Sequence, residues 1–176
     1  MILTKDFIEL DNFLPLEEQD NLLKKFTHQS FPWGFSLDSV YGINGDPNNL
    51  GAIGFFHNLM FNGEQRSEDL PLAWPVMEAF QNAIGNRLVI TKMGRIRVGL
   101  FTKHPDSTPH GPHTDATFPH WTAVYYVNDC DGDFVLYNET YEDYTETEII
   151  TTQPKLTVKH ICKPAKGKLI AFNGKF

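Results

Sequence analysis

At Arg87 the hydrophobic period of this chain changes, and the change limits what the chain can fold into. From there come the β-branched and apolar run Leu88-Val89-Ile90-Thr91, a break at Met93-Gly94, then Arg95 through Thr102, whose first residues alternate with period two. Strand side chains alternate between two faces, so this period predicts β-structure. Before Arg87 the period is helical in two places. Leu16, Leu22, Leu23 and Phe26 form one apolar stripe, opposite Glu17, Glu18, Gln19, Asp20, Lys24 and Lys25. They predict a helix over 15–27, with Pro15 in the first turn, where its missing N–H costs nothing. Trp74, Met77, Phe80 and Ile84 predict a second helix over 72–85, stopped by Gly85.

The remaining segments are shorter. An opening strand is expected over 2–10. Residues 31–63 are broken by six glycines and the turn cluster Gly45-Asp46-Pro47-Asn48-Asn49, yet carry Phe31, Trp33, Phe35, Tyr41, Phe55, Phe56 and Phe61. They read as a loop-rich layer with short strands on the core, or alternatively as a lid over a cleft. The runs 121–128 and 133–137 flank Asp129-Cys130-Asp131-Gly132 and predict a hairpin. Glu139 to Glu148 reads as a solvated acidic loop. Strands are expected over 148–152 and 156–162, and the turn at 163–167 leads into a last strand over 168–172. Helices first and many short strands afterwards predict an α+β fold, its second half a β-sandwich or open barrel and its two helices packed on one outer face.

A length of 176 residues fits one domain over 1–176, with 1–86 as a helical and loop support region and 87–176 as the β core. A formal net charge of −7 argues against a general binder of phosphate backbones, so nucleic acid is not the expected partner. Cys130 and Cys162 lie far apart and outside any CxxC, which gives no support to a disulfide framework or a thiolate zinc site and fits a reducing, cytoplasmic setting. Charged residues throughout 1–20 leave no signal-peptide core, and no apolar run reaches the roughly 18 residues that argue for a membrane helix.

The chemistry concentrates at His110-Gly111-Pro112-His113-Thr114-Asp115, just ahead of the apolar run from Trp121. A histidine and a carboxylate two positions apart at the mouth of a strand share one face and can aim at one point. They supply two of the three ligands of the two-histidine, one-carboxylate triad that holds non-haem Fe(II) with open positions for other groups. An HxD pair alone is a weak signal, since such spacings arise by chance. No GxGxxG, GxxxxGK[ST], GxSxG or HExxH is present.

The surrounding segments resemble the prolyl-hydroxylase-like branch of the Fe(II)/2-oxoglutarate dioxygenases. The resemblance lies in the strand Arg95 to Phe101, His113-Thr114-Asp115, the run Trp121-Thr122-Ala123-Val124-Tyr125-Tyr126-Val127-Asn128, an acidic Gly turn, Phe134-Val135-Leu136-Tyr137, and the Pro-x-x-Gly-x-Leu-x-x-Phe pattern of Pro164 to Phe172. It covers roughly residues 95–176. It implies a double-stranded β-helix (jelly-roll) core, His113 and Asp115 as iron ligands, and Tyr126 as donor to the distal carboxylate of 2-oxoglutarate, with Val124 lining the pocket beside it. The implied cofactors are Fe(II), 2-oxoglutarate and O₂, with room for ascorbate, and the implied substrate is an unidentified protein or small molecule. In relatives the third ligand, a histidine, follows the Gly-x-Leu-x-x-Phe strand, and an Arg or Lys some ten residues later pairs with 2-oxoglutarate. This sequence stops at Asn173-Gly174-Lys175-Phe176, before both, so the last core strands are expected to be missing and the chain to be a fragment. His160, His104, His110, His120, His28 and His57 read as surface or hydrogen-bonded histidines, and Lys168 or Lys175 as ordinary lysines. The rival readings are a non-catalytic jelly-roll binding or structural module, with His113 and Asp115 merely hydrogen-bonded, and a cupin-like metal enzyme that does not use 2-oxoglutarate.

Overall fold

The computed structural model describes residues 2–36, 54–102, 111–143 and 154–176. In chain order the elements are β1 (Ile2–Leu3), β2 (Phe7–Leu10), α1 (Leu16–Phe26), β3 (Gly34–Ser36), β4 (Gly54–Phe61), β5 (Glu64–Gln65), α2 (Trp74–Ile84), β6 (Arg95–Phe101), β7 (Trp121–Tyr125), β8 (Phe134–Tyr137), β9 (Val158–Cys162) and β10 (Leu169–Asn173). The fold is α+β, mostly sheet with two helices. The described residues divide into two compact units, one of 2–13, 111–143 and 154–176 and the other of 14–36 and 54–102.

The first unit holds a four-stranded sheet in the order β1-β2-β10-β7 and a separate β8-β9 pair, all antiparallel and neither closed on itself. Buried Phe7 and Ile170 of the larger sheet meet buried Leu136 and Cys162 of the pair, with Val124, Tyr126, Phe134, Phe172 and Phe176 packed around them. Each fully buried aliphatic side chain there contributes about 2 kcal/mol of apolar transfer. One polar cluster crosses the same layer. Glu9 on β2 accepts from Lys168 Nζ at 2.5 Å and contacts His160 Nε2 on β9 at 3.0 Å, while Lys168 also reaches Asp11 at 3.2 Å. Lys168 and then His160 hold the Glu9 carboxyl below its ordinary pKa against the opposing effect of burial, and Glu9 holds the Lys168 ammonium above its own.

In the second unit β4 is central, pairing with β6 along its length and with β3 and β5 at its ends. Helix α1 buries Leu22, and it buries Gln19 because that side-chain amide donates to Leu14 O at 2.8 Å. Helix α2 buries Phe80 and Ile84 and stops at Gly85, whose φ of 52° suits a residue without Cβ.

Both helices lie within two residues of their expected spans, but the ends of their stripes do not: Leu16 is 67% and Trp74 43% exposed, each being the first residue of its helix. Four strand expectations change. Ile2 to Leu10 folds back on itself, because Thr4 exchanges hydrogen bonds with Phe7 and turns the chain into the β1-β2 hairpin. Leu88 to Thr91 forms no strand; Val89 is 76% exposed, and β-branched residues without a neighbouring ladder gain nothing from extension. Within 31–63 the eight-residue β4 is longer than the expected short strands. The hairpin expected between 121–128 and 133–137 does not form, since β7 pairs with β10 and β8 with β9. Gly167 N donates to Tyr126 O at 2.9 Å, Tyr126 N to Lys168 O at 2.8 Å and Lys166 N to Asp129 Oδ1 at 2.8 Å. These bonds bind the end of β7 to the turn ahead of β10, and the chain leaves that sheet before β8. The expected strand at 148–152 lies outside the described residues.

Candidate metal centre

The site is built on one face of β7. Thr122, Val124 and Tyr126 alternate onto that face, opposite Phe172, Ile170 and Lys168 along β10. The residues before β7 are not a strand, so His113 and Asp115 are not aligned by strand alternation. Pro112 and Pro119 lack the N–H groups a ladder needs. One bond that holds Asp115 comes from seven residues further on: Thr122 Oγ1 donates to its Oδ2 at 3.2 Å, at the head of the β7 face. The His113 ring is fixed locally, its Nδ1–H donating to Gly111 O at 3.0 Å. A carbonyl can only accept, so in the neutral ring Nε2 carries the lone pair, the arrangement found in metal-binding histidines. Both side chains are exposed.

Tyr126 sits further along, packed against the Phe7, Leu136, Cys162 and Ile170 core. Burial raises its phenol well above the ordinary range, with Cys162 and Glu9 adding to the effect, so the hydroxyl keeps its proton and is a donor. Val124 is half-buried between Thr122 and Tyr126. The neighbouring Tyr125 points to the other face, where its ring lies 6.4 Å from that of Phe13, and its buried hydroxyl has no partner. Cys162 is buried, and desolvation, then Glu9, push its thiol up to about 11, which makes it a packing residue at neutral pH.

Among the other histidines, His28 bonds Ser30 Oγ at 2.7 Å, His57 bonds Ser67 Oγ at 2.7 Å and His160 meets Glu9. Lys168 is held by Glu9 and Asp11, and Lys175 Nζ lies 4.8 Å from the centre of the Phe176 ring. His104 and His110 lie outside the described residues. His120 differs from the rest: Nδ1 contacts Phe118 O at 2.7 Å and Nε2 is buried without a partner. Neither this state nor the Glu9 cluster has a signature in the sequence, because both depend on residues more than fifty positions away.

No protein-family model, curated protein or solved structure matches this chain. An imidazole whose Nδ1 contacts a carbonyl, and a carboxylate, are donor types that an octahedral divalent metal such as Fe(II) accepts. Among the described residues no three metal-binding side chains are already gathered, and no helix is long and apolar enough to cross a membrane.

Proposed function

We propose that this chain is an Fe(II)- and 2-oxoglutarate-dependent oxygenase of the prolyl-hydroxylase-like branch, a hydroxylase acting on a protein or small-molecule substrate. The observation that carries the reading is the Thr122–Asp115 bond, which joins the carboxylate to a face whose next residues are Val124 and Tyr126. The order of strand pairing supports a jelly-roll core: β7 and β10 enclose in sequence the β8 and β9 of the other sheet, as when a long hairpin is wound into two layers. In this reading His113 Nε2 and Asp115 hold the metal. The Tyr126 hydroxyl donates to the far carboxylate of 2-oxoglutarate, Val124 lines the space between, and the aromatic core excludes water. Bound there, Fe(II) with 2-oxoglutarate and O₂ supplies the oxidising chemistry of hydroxylation, and ascorbate serves as accessory reductant.

Anaerobic titration with Fe(II) and 2-oxoglutarate tests this. A metal-to-ligand charge-transfer absorption should develop in the wild type and vanish in His113→Ala and Asp115→Ala; its absence from the wild type overturns the reading. A second reading, a non-catalytic jelly-roll module, draws on the absence of a gathered set of three ligands among the described residues. It requires that no metal bind per chain, whereas the oxygenase binds one. Metal uptake without response to 2-oxoglutarate would instead indicate a metal enzyme of the cupin-like kind.

A further inference from the structure

We infer that the cleft between the start of α1 and one face of α2 is a docking site for an extended, arginine-bearing segment of another protein, independent of the metal centre. The cleft has a volume of about 460 Å³, within the range of small-ligand sites. Buried Leu14 with Pro15, Pro71 and Pro75 gives it an apolar lining. Along α2, Trp74, Glu78 and Asn82 are spaced four apart, which puts them on one side of the helix as a track about 12 Å long. That length matches roughly four residues of extended chain at about 3.3 Å each.

The chemistry of the lining selects the occupant. Trp74 is 43% exposed, and among the described residues no hydrogen bond, ion pair or ring contact engages the side chains of Glu18, Trp74, Glu78 or Asn82. Two carboxylates and an indole thus share one cleft, and no described Lys, Arg or His lines it. A guanidinium answers both groups. Its plane stacks on an indole, its fork of N–H donors pairs with a carboxylate, and it sheds water more readily than an ammonium. The Asn82 amide supplies both a donor and an acceptor for the backbone of the segment. A formal net charge of −7 draws cationic partners toward the surface.

Heteronuclear NMR of the whole chain, titrated with the peptide acetyl-Ala-Gly-Arg-Gly-Ala-amide, tests this. The indole N–H signal of Trp74, identified by its absence from Trp74→Leu, should shift saturably with a Kd of about 1 mM. The same peptide with citrulline in place of arginine is neutral and of nearly equal shape, and should bind at least about tenfold more weakly. Glu18→Gln and Glu78→Gln should each weaken binding of the arginine peptide about threefold, as exposed ion pairs do. A wild type without a saturable shift overturns the inference. So does equal binding of the citrulline peptide, or wild-type affinity in the variant that combines Glu18→Gln with Glu78→Gln.

Discussion

The two units satisfy their polar groups by different means. Among the described residues of the second, Gln19 bonds Leu14 O, and Ser67 accepts from Asp69 N while bonding His57, ten residues away. In the first, Glu9 reaches His160 and Lys168, more than 150 residues away, and His120 Nε2 and Tyr125 Oη are left without partners in a buried layer. Short-range satisfaction makes a self-sufficient support.

Removing Glu9 should break this contrast most severely. Glu9→Ala leaves Lys168 and His160 without their shared carboxylate in a mostly buried layer and should cost about 3 kcal/mol in urea unfolding. Glu9→Leu combined with Lys168→Met should recover much of it, and a double variant as weak as the single would mean the unpaired Lys168 is not the source of the loss. The pH dependence follows from the shifts. The depressed Glu9 carboxyl contributes stability above its ordinary value of 4.5, lost as pH falls through its lower folded value. The raised Lys168 ammonium contributes below 10.5, lost as pH rises through its higher folded value. Wild type should therefore exceed Glu9→Gln in stability between these limits and converge with it in acid.

Gly174→Ala comes next, with about 2 kcal/mol lost as the new Cβ displaces the His120 ring. Unchanged stability would mean the ring moves aside freely. Ser67→Ala probes the other unit and should cost about 1 kcal/mol, because it removes the acceptor of Asp69 N–H and the His57 partner together. A loss as large as that of Glu9→Ala would erase the distinction between the units. Thr122→Val should change stability least, by less than about 0.5 kcal/mol at an exposed bond, yet weaken metal binding roughly tenfold by removing one of the bonds that hold Asp115. Equal Co(II) affinities for Thr122→Val and wild type would remove the anchoring role.

Much of the local structure was legible. Helical stripes located α1 and α2, Gly85 marked an end, and alternation located β6, β7, β8 and β10 close to where they lie. Two of the errors share one cause. Val89 and Ile90 have strand-forming side chains but no ladder to join, and the turn after Tyr126 had the composition of a hairpin while its hydrogen bonds went to Gly167 and Lys168. Propensity is local, and pairing is not. The candidate site divides the same way. His113 and Asp115 were visible as residue types at a spacing, whereas Thr122 as the anchor of Asp115 and the unpartnered state of His120 were not.

By itself the sequence determined periodicity, and with it the helices, most of the strands and the presence of two metal-binding groups, because these depend on side-chain type at fixed short spacings. Only the tertiary structure decided that β7 lies beside β10, that Glu9 ties one sheet to the other, and that the His120 ring lies over Gly174. Each of those facts is a hydrogen bond or a close approach between residues far apart in the chain. Such pairings become favourable only when the whole layer packs together, and no window of neighbouring residues contains them.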